Sequence, residues 1–170
     1  KRPRQEVDAL FGLIEEYVDR EADKLVRNNI RLNVVGRTGD LPRTVREKLA
    51  AVIDRTRANT ALVLNLALNY GGRAEIVDAC RSLAQDAVAG KIAPADITEE
   101  SFARRLYTGD LPDPDLMIRT SGEFRLSNYL LWQLSYAELY VTDTLWPDFG
   151  GADLRQAISV YQQRERRYGG

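Results

Sequence analysis

The sequence predicts an α/β fold, a mostly parallel central sheet with helices on both faces. Three observations predict it. Strand-patterned and helix-patterned segments alternate along the 170 residues. Ala61 to Leu68 is a near-continuous apolar run broken only by Asn65, as in a parallel strand buried on both faces. Leu116, Met117 and Ile118 form a shorter apolar run that empties into Arg119-Thr-Ser-Gly-Glu-Phe-Arg-Leu-Ser-Asn128. Ligands of open α/β sheets bind beyond the C-terminal ends of the strands.

The elements follow in order. Val7, Leu10, Phe11, Ile14, Tyr17, Val18, Ala22 and Leu25 recur at helical spacing, which predicts an amphipathic helix over 4–27 with Pro3 suited to its first turn. Ile30 to Val35 alternates, is rich in β-branched residues and stops at Gly36, as a strand does. Pro42 starts a second helix with Val45, Leu49, Val52 and Ile53 inward. The Ala61–Leu68 strand ends at Gly71-Gly72, and a helix continues through Ile76, Ala79, Cys80, Leu83 and Ala87. Gly90 and Pro94 mark a loop, and Thr98-Glu-Glu-Ser has the form of a capped helix start. After the strand Leu116–Ile118, the spacing Leu126, Leu130, Leu131, Leu134 predicts a helix over 126–136. A last strand is expected at Ala137–Val141 and a last helix at Leu154–Tyr161.

Length sets one domain, residues 1–170, as the expectation. A hydrophobic fraction of 44% suffices for a core, and 29% charged residues cover it. The net charge of −1 speaks against general attraction to nucleic acid or anionic lipid, so local basic clusters must carry any anion binding. The one cysteine, Cys80, cannot form an internal disulfide; on the apolar side of its helix it reads as a buried thiol in a reducing cytoplasm. No apolar run reaches transmembrane length.

The loop after Ile118 has the chemistry of an anion site. Arg119 and Arg125 offer planar donor forks, Ser127 a hydroxyl, and the expected helix N-terminus free N–H groups. The plainer reading is a solvated polar loop. Asn69, Gly71, Gly72 and Arg73 form a second strand-to-helix turn, where glycines permit close backbone approach to a phosphate or simply a tight turn. No P-loop and no Gly-x-Gly-x-x-Gly is present to support a nucleotide-binding module.

The segment Asp113 to Asn128 resembles a signature of the cis-prenyltransferase family, which includes the undecaprenyl diphosphate synthases. The resemblance continues in Asn128-Tyr-Leu-Leu-Trp-Gln133, Tyr136-Ala-Glu-Leu-Tyr140, Leu145-Trp-Pro-Asp-Phe149 and Arg164-Glu-Arg-Arg-Tyr-Gly-Gly170. Upstream, Arg2-Pro3 and Asn69-Tyr-Gly-Gly-Arg73 with Glu75-Ile76 also match, all in one order. The resemblance implies cis-prenyl chain elongation: isopentenyl diphosphate is condensed with an allylic diphosphate such as farnesyl diphosphate to a (Z)-polyprenyl diphosphate, undecaprenyl diphosphate by expectation, with Mg2+ as cofactor. It assigns Arg119, Arg125 and Ser127 to the diphosphate of the isopentenyl substrate, and Glu138 to the metal. Arg2, Asn69 and Arg73 would line the site, Arg2 toward the allylic diphosphate. Glu138 could equally be a solvated side chain or the ion-pair partner of an arginine.

The family opens with a phosphate-binding segment in a context like Met-Asp-Gly-Asn-Gly-Arg, whose Asp is catalytic. That segment is expected before Lys1, so the chain reads as the C-terminal two-thirds of a catalytic domain, inactive alone, with the family's own terminus at Gly170. The chain also has no histidine, which the family's N-terminal part usually supplies. In relatives an Arg-x-Gly near the end, here Arg167 and Gly169, reaches the neighbouring subunit's isopentenyl diphosphate, which implies a homodimer. Val7, Leu10, Phe11 and Ile14, with Leu62 and Leu64, read as core that could also wall the prenyl channel. Trp132, Tyr136, Trp146 and Phe149 read as core or interface. A cytoplasmic enzyme with peripheral membrane contact at product release is expected. The alternative is a non-catalytic supporting subunit of a heteromeric enzyme, against which the retained Arg119, Arg125 and Ser127 speak.

Overall fold

The structure, a computed structural model, describes residues 3–109 and 111–164. The chain divides into two compact units, one ending at Tyr70 and the other starting at Gly71.

The first unit runs α1 (Arg4–Arg27), β1 (Ile30–Val35), a 3-10 turn (Thr38–Asp40), α2 (Arg43–Thr56) and β2 (Leu62–Ala67). Both helices start on the carboxyl side of a proline, Pro3 and Pro42, where the missing N–H costs nothing. Strands β1 and β2 pair in parallel from Ile30 opposite Leu62 to Val35 opposite Ala67. The core gathers Val18 and Ala22 of α1, Leu32 of β1, Leu41, and Val45, Leu49 and Val52 of α2. Fully buried Thr56 keeps its hydroxyl satisfied: it donates to the Val52 carbonyl at 2.8 Å and accepts the Leu32 N–H at 3.1 Å. On the surface, Lys48 pairs with Asp19 at 2.5 Å and Arg55 with Asp23 at 2.6 Å, tying α2 to α1. At Gly36 (φ +122°) an added Cβ would lie 2.1 Å from the Leu68 carbonyl oxygen, so only glycine fits where β1 turns under β2.

The second unit runs α3 (Gly72–Val88), a 3-10 turn (Pro94–Asp96), α4 (Glu99–Ala103), β3 (Leu116–Arg119), β4 (Glu138–Val141), a 3-10 turn (Trp146–Asp148) and α5 (Gly151–Gln162). Thr98 and Ser101 cap α4 reciprocally, each side chain accepting the other's N–H. Strands β3 and β4 pair in parallel, Leu116 opposite Glu138 and Arg119 opposite Val141. The parallel pairing expected from the sequence is thus present as one strand pair in each unit.

Three expectations are corrected. No helix spans 126–136. Ser127, Asn128 and Leu130 have φ of +51°, +62° and +41°, a left-handed conformation that cannot continue a right-handed helix, and only isolated turns follow. Strand β2 is not buried on both faces: Leu62 is 55% and Leu64 38% exposed, because β1 is its hydrogen-bonded neighbour among the described residues and one side chain face opens onto a groove. Cys80 is exposed. The buried line of α3 runs Gly72, Glu75, Ala79, Leu83, and Cys80 stands one residue, about 100°, off that line.

Candidate active site

Arg119 ends β3, and the chain then leaves the sheet through a loop anchored by backbone. The Ser121 N–H donates to the Thr144 carbonyl at 3.0 Å and the Gly122 N–H to the Thr142 carbonyl at 2.9 Å. Gly122 (φ +65°) passes so close that a Cβ would meet the Asp143 carboxylate at 2.7 Å. The fold of this loop brings the expected anion binders together. Arg119 donates from Nη2 toward the Ser127 hydroxyl at 3.5 Å and stands 4.0 Å from Glu123 Oε2, the oxygen that Arg125 also contacts. Glu123 therefore holds two like charges side by side. Each guanidinium fork has five donors. Arg119 is 28% and Arg125 66% exposed, so both retain accessible N–H groups for an arriving anion. Partial burial pushes the Tyr129 phenol above its ordinary value.

The segment after Ser127 docks on the head of α3. The Gly72 N–H donates to the Asn128 carbonyl at 2.8 Å and the Arg73 N–H to Asn128 Oδ1 at 2.9 Å. The glycines make room for this contact: a Cβ at Gly71 would lie 2.9 Å from Asn128 Nδ2, and one at Gly72 2.9 Å from Leu131 Cγ. The close backbone approach read from Gly71-Gly72 is thus to the chain itself, and the Arg73 side chain stays exposed. Farther along, Gln133, 3% exposed, donates its amide to both oxygens of fully buried Glu75 at 3.2 Å and to the Thr108 hydroxyl at 3.0 Å. The Tyr107 N–H also donates to Glu75, at 2.8 Å.

Two other predicted site residues have contacts of their own. Asn69 (φ +48°) belongs to the first unit. Its side chain donates to the Arg37 carbonyl at 3.1 Å and its carbonyl accepts the Arg37 N–H at 3.3 Å, which fastens the turn after β1. Glu138 opens β4 at the end of the strand pair opposite to Arg119, three residues or roughly 10 Å of strand away. It pairs with Arg164, whose other nitrogen donates to the Leu139 carbonyl at 3.1 Å. Among the described residues no three His, Cys, Asp or Glu side chains cluster for a metal. Arg2, Arg167 and Gly169 lie outside the described residues.

An apolar groove of about 530 Å³ opens in the first unit between α1 and the strands. Leu10, Ile14 and Leu64, named from the sequence as walls, line it with Leu13, Tyr17, Leu66 and Leu68, while Phe11 packs on the core. Glu21 is the charged side chain on its wall. Among the aromatics, Trp132 tilts against Phe102 with ring centres 4.6 Å apart, and Trp146 stacks on Phe149 at 6.2 Å. Tyr136 and Trp146 are exposed, as an interface role would require. Glu123, Asn128, Glu75 and Gln133 were not singled out by sequence reasoning. For Glu123 a signal existed, an acid set between two arginines; the others act through residues distant in sequence.

Residues 1–169 match a prenyltransferase family described as "Putative undecaprenyl diphosphate synthase". An isoprenyl transferase of Heliobacterium mobile is 54% identical over 170 residues, all of this chain and 65% of the relative. One of Geobacillus kaustophilus is 49% identical over 170 residues and 66% of its own length. The chain thus spans just under two-thirds of these relatives. Among solved structures, lavandulyl diphosphate synthase from Lavandula x intermedia, in complex with dimethylallyl diphosphate, superposes with a TM-score of 0.95 at 37% identity, covering 98% of this chain and 72% of that one. A probable undecaprenyl diphosphate synthase from Campylobacter jejuni gives 0.84 at 38% identity, covering 98% and 76%. A full-length family match and an α/β fold shared with two prenyl diphosphate synthases leave one conclusion: the chain belongs to the undecaprenyl diphosphate synthase family of prenyltransferases.

Proposed function

We propose that the protein elongates prenyl chains, adding isopentenyl diphosphate to an allylic diphosphate with a new cis double bond. The observation that carries the reading is the gathering of Arg119, Arg125 and Ser127 around Glu123 at the exit of β3. A diphosphate needs fixed donors on several oxygens, and two bracketed guanidinium groups with a hydroxyl supply them without rearrangement. The groove adds an apolar wall of the kind a growing hydrocarbon needs, away from water. Undecaprenyl diphosphate is the product we favour, and the whole chain acts as the C-terminal two-thirds of one catalytic domain.

The chemistry of the donor set fits Mg2+ held chiefly by substrate. Glu138, paired here with Arg164, is the carboxylate we assign to a cation that would take most of its ligands from diphosphate oxygens. When bound, the ion neutralises charge on the leaving diphosphate. Arg119 and Arg125 hold and orient the isopentenyl diphosphate, and the groove wall excludes water. Arg73, Asn69 and Arg2 border the substrates, and Arg167 and Gly169 complete the neighbour's site in a homodimer. The enzyme works in the cytoplasm, with peripheral membrane contact at product release; no described helix is long and apolar enough to cross a membrane.

The test is incubation of full-length protein with farnesyl diphosphate, radiolabelled isopentenyl diphosphate and Mg2+. Label should enter an organic-extractable product, and chelation of the metal should stop it. Folded protein that yields no such product would remove the proposal, and leave the supporting-subunit reading to be tested with a catalytic partner.

A further inference from the structure

The loop that carries the anion binders is held in an unusual backbone conformation. Ser121, Ser127, Asn128 and Leu130 all have positive φ, as does Gly122. Side chains disfavour this region, and such clusters persist only where surrounding contacts over-determine them. Ser121 and Gly122 are held by the Thr144 and Thr142 carbonyls, and from Asn128 onward the determining contacts come from α3. That helix has no cap of its own, since Gly71 stands at its N-cap position without a side chain. Asn128 fills the role from across the chain: its carbonyl takes the Gly72 N–H and its Oδ1 the Arg73 N–H. Gln133, tied to buried Glu75 one turn into the same helix, fixes the far end of the segment. Ser127, whose hydroxyl meets Arg119, is the residue immediately before the first of these attachments.

We propose that Asn128 is a positioning residue for the diphosphate site: by capping α3 it fixes Ser127 and Arg125 where a diphosphate bound to Arg119 can use them. The inference rests on reading this loop as the isopentenyl diphosphate site. It implies that the first donors of α3 are taken by Asn128, so that loop side chains hold the anion and the head of the helix does not.

The variant Asn128→Gly keeps the positive φ and the carbonyl that serves Gly72, and removes only Oδ1 and its amide. Gly71→Ser combined with Asn128→Gly gives α3 a hydroxyl cap of its own. Among the described residues, and apart from the neighbours in sequence, the atoms within 4 Å of a Cβ at Gly71 belong to the Asn128 side chain, so the double variant has room for it. In the full-length protein we would measure the thermal midpoint, KM for both substrates, and inorganic pyrophosphate binding, which Arg119→Ala should abolish. Asn128→Gly should lower the midpoint by about 2–4 °C, the effect of one lost cap in a chain of this size. It should raise the isopentenyl diphosphate KM and the pyrophosphate Kd about tenfold, as misplacement of a binding group does. The allylic KM should stay within about twofold. The double variant should regain the midpoint and keep the raised constants. Because it carries a cap, it also serves if the single variant is too unstable to assay. Recovery of both midpoint and constants would make Asn128 a mere cap and overturn the proposal, as would an unchanged Kd in either variant. Wild-type protein that binds pyrophosphate at Arg119 but uses no isopentenyl diphosphate defeats the functional reading alone, and the titration still decides the positioning role. Wild-type protein with no such binding defeats both.

Discussion

Two guanidinium groups converge on Glu123, two positive charges on one carboxylate. Arg119→Ala, Arg125→Ala and Ser127→Ala should each raise the isopentenyl diphosphate KM more than the allylic KM. A hydrogen bond to a charged group is worth about 1.5–3 kcal/mol, or roughly ten- to a hundredfold. Glu123→Gln should act in the same direction, because it frees both arginines from their fixed aim; steady-state kinetics with each substrate varied checks all four. Two glycines make an opposite pair. Gly36→Ala places a methyl group against the Leu68 carbonyl at positive φ, and should destabilise by roughly 2 kcal/mol or more. Gly12→Ala, on the exposed face of α1 with nothing within 4 Å, should stabilise by about 0.5–1 kcal/mol. Urea unfolding distinguishes them. Arg119, Arg125 and Ser127 were legible in the sequence because their chemistry is carried by residue type. Asn128 was not, because its role depends on a left-handed backbone and a partner 55 residues away.

Helix α1, β1 and α2 follow their sequence patterns closely, since each pattern reports which face meets the core; β2 lies where its pattern puts it, but its apolar run is not buried on both faces. The pattern Leu126, Leu130, Leu131, Leu134 misled for a definite reason. Leu134 is buried as expected, but the segment reaches its site through positive-φ residues held by the head of α3. Periodicity records which residues are buried and is blind to a long-range cap that stops the helix. Between α1 and α2, the hydrogen bond and charge of Arg55 hold Asp23 below the usual carboxylate range. A group with a depressed folded pKa adds stability above the ordinary carboxylate value and loses it as pH falls through the folded value. Asp23→Asn should therefore lower stability slightly at pH 7, and the difference should disappear as pH falls through the depressed folded value. Urea unfolding of both proteins across pH 2–7 is the check, and an equal offset at every pH would contradict the assignment.

For the whole molecule, the reading requires the substrate binders of one chain to meet the C-terminal Arg167 and Gly169 of another. Mixing two inactive full-length variants tests this. One carries Arg119→Ala and the other has residues 167–170 deleted. In a mixed dimer one site joins the intact Arg119 to the intact tail, so activity should return. Folded variants that exchange subunits yet stay inactive would place the tail in its own subunit or outside the site. The central claim is more specific: the chain makes a cis double bond. That geometry is written in the product and in nothing else. Full-length protein should be incubated with all-trans farnesyl diphosphate and isopentenyl diphosphate, and the dephosphorylated product examined by carbon-13 NMR for the methyl groups on its new double bonds. The account predicts that every added unit is Z while the starter units stay E. A chain extended with E units would contradict it outright.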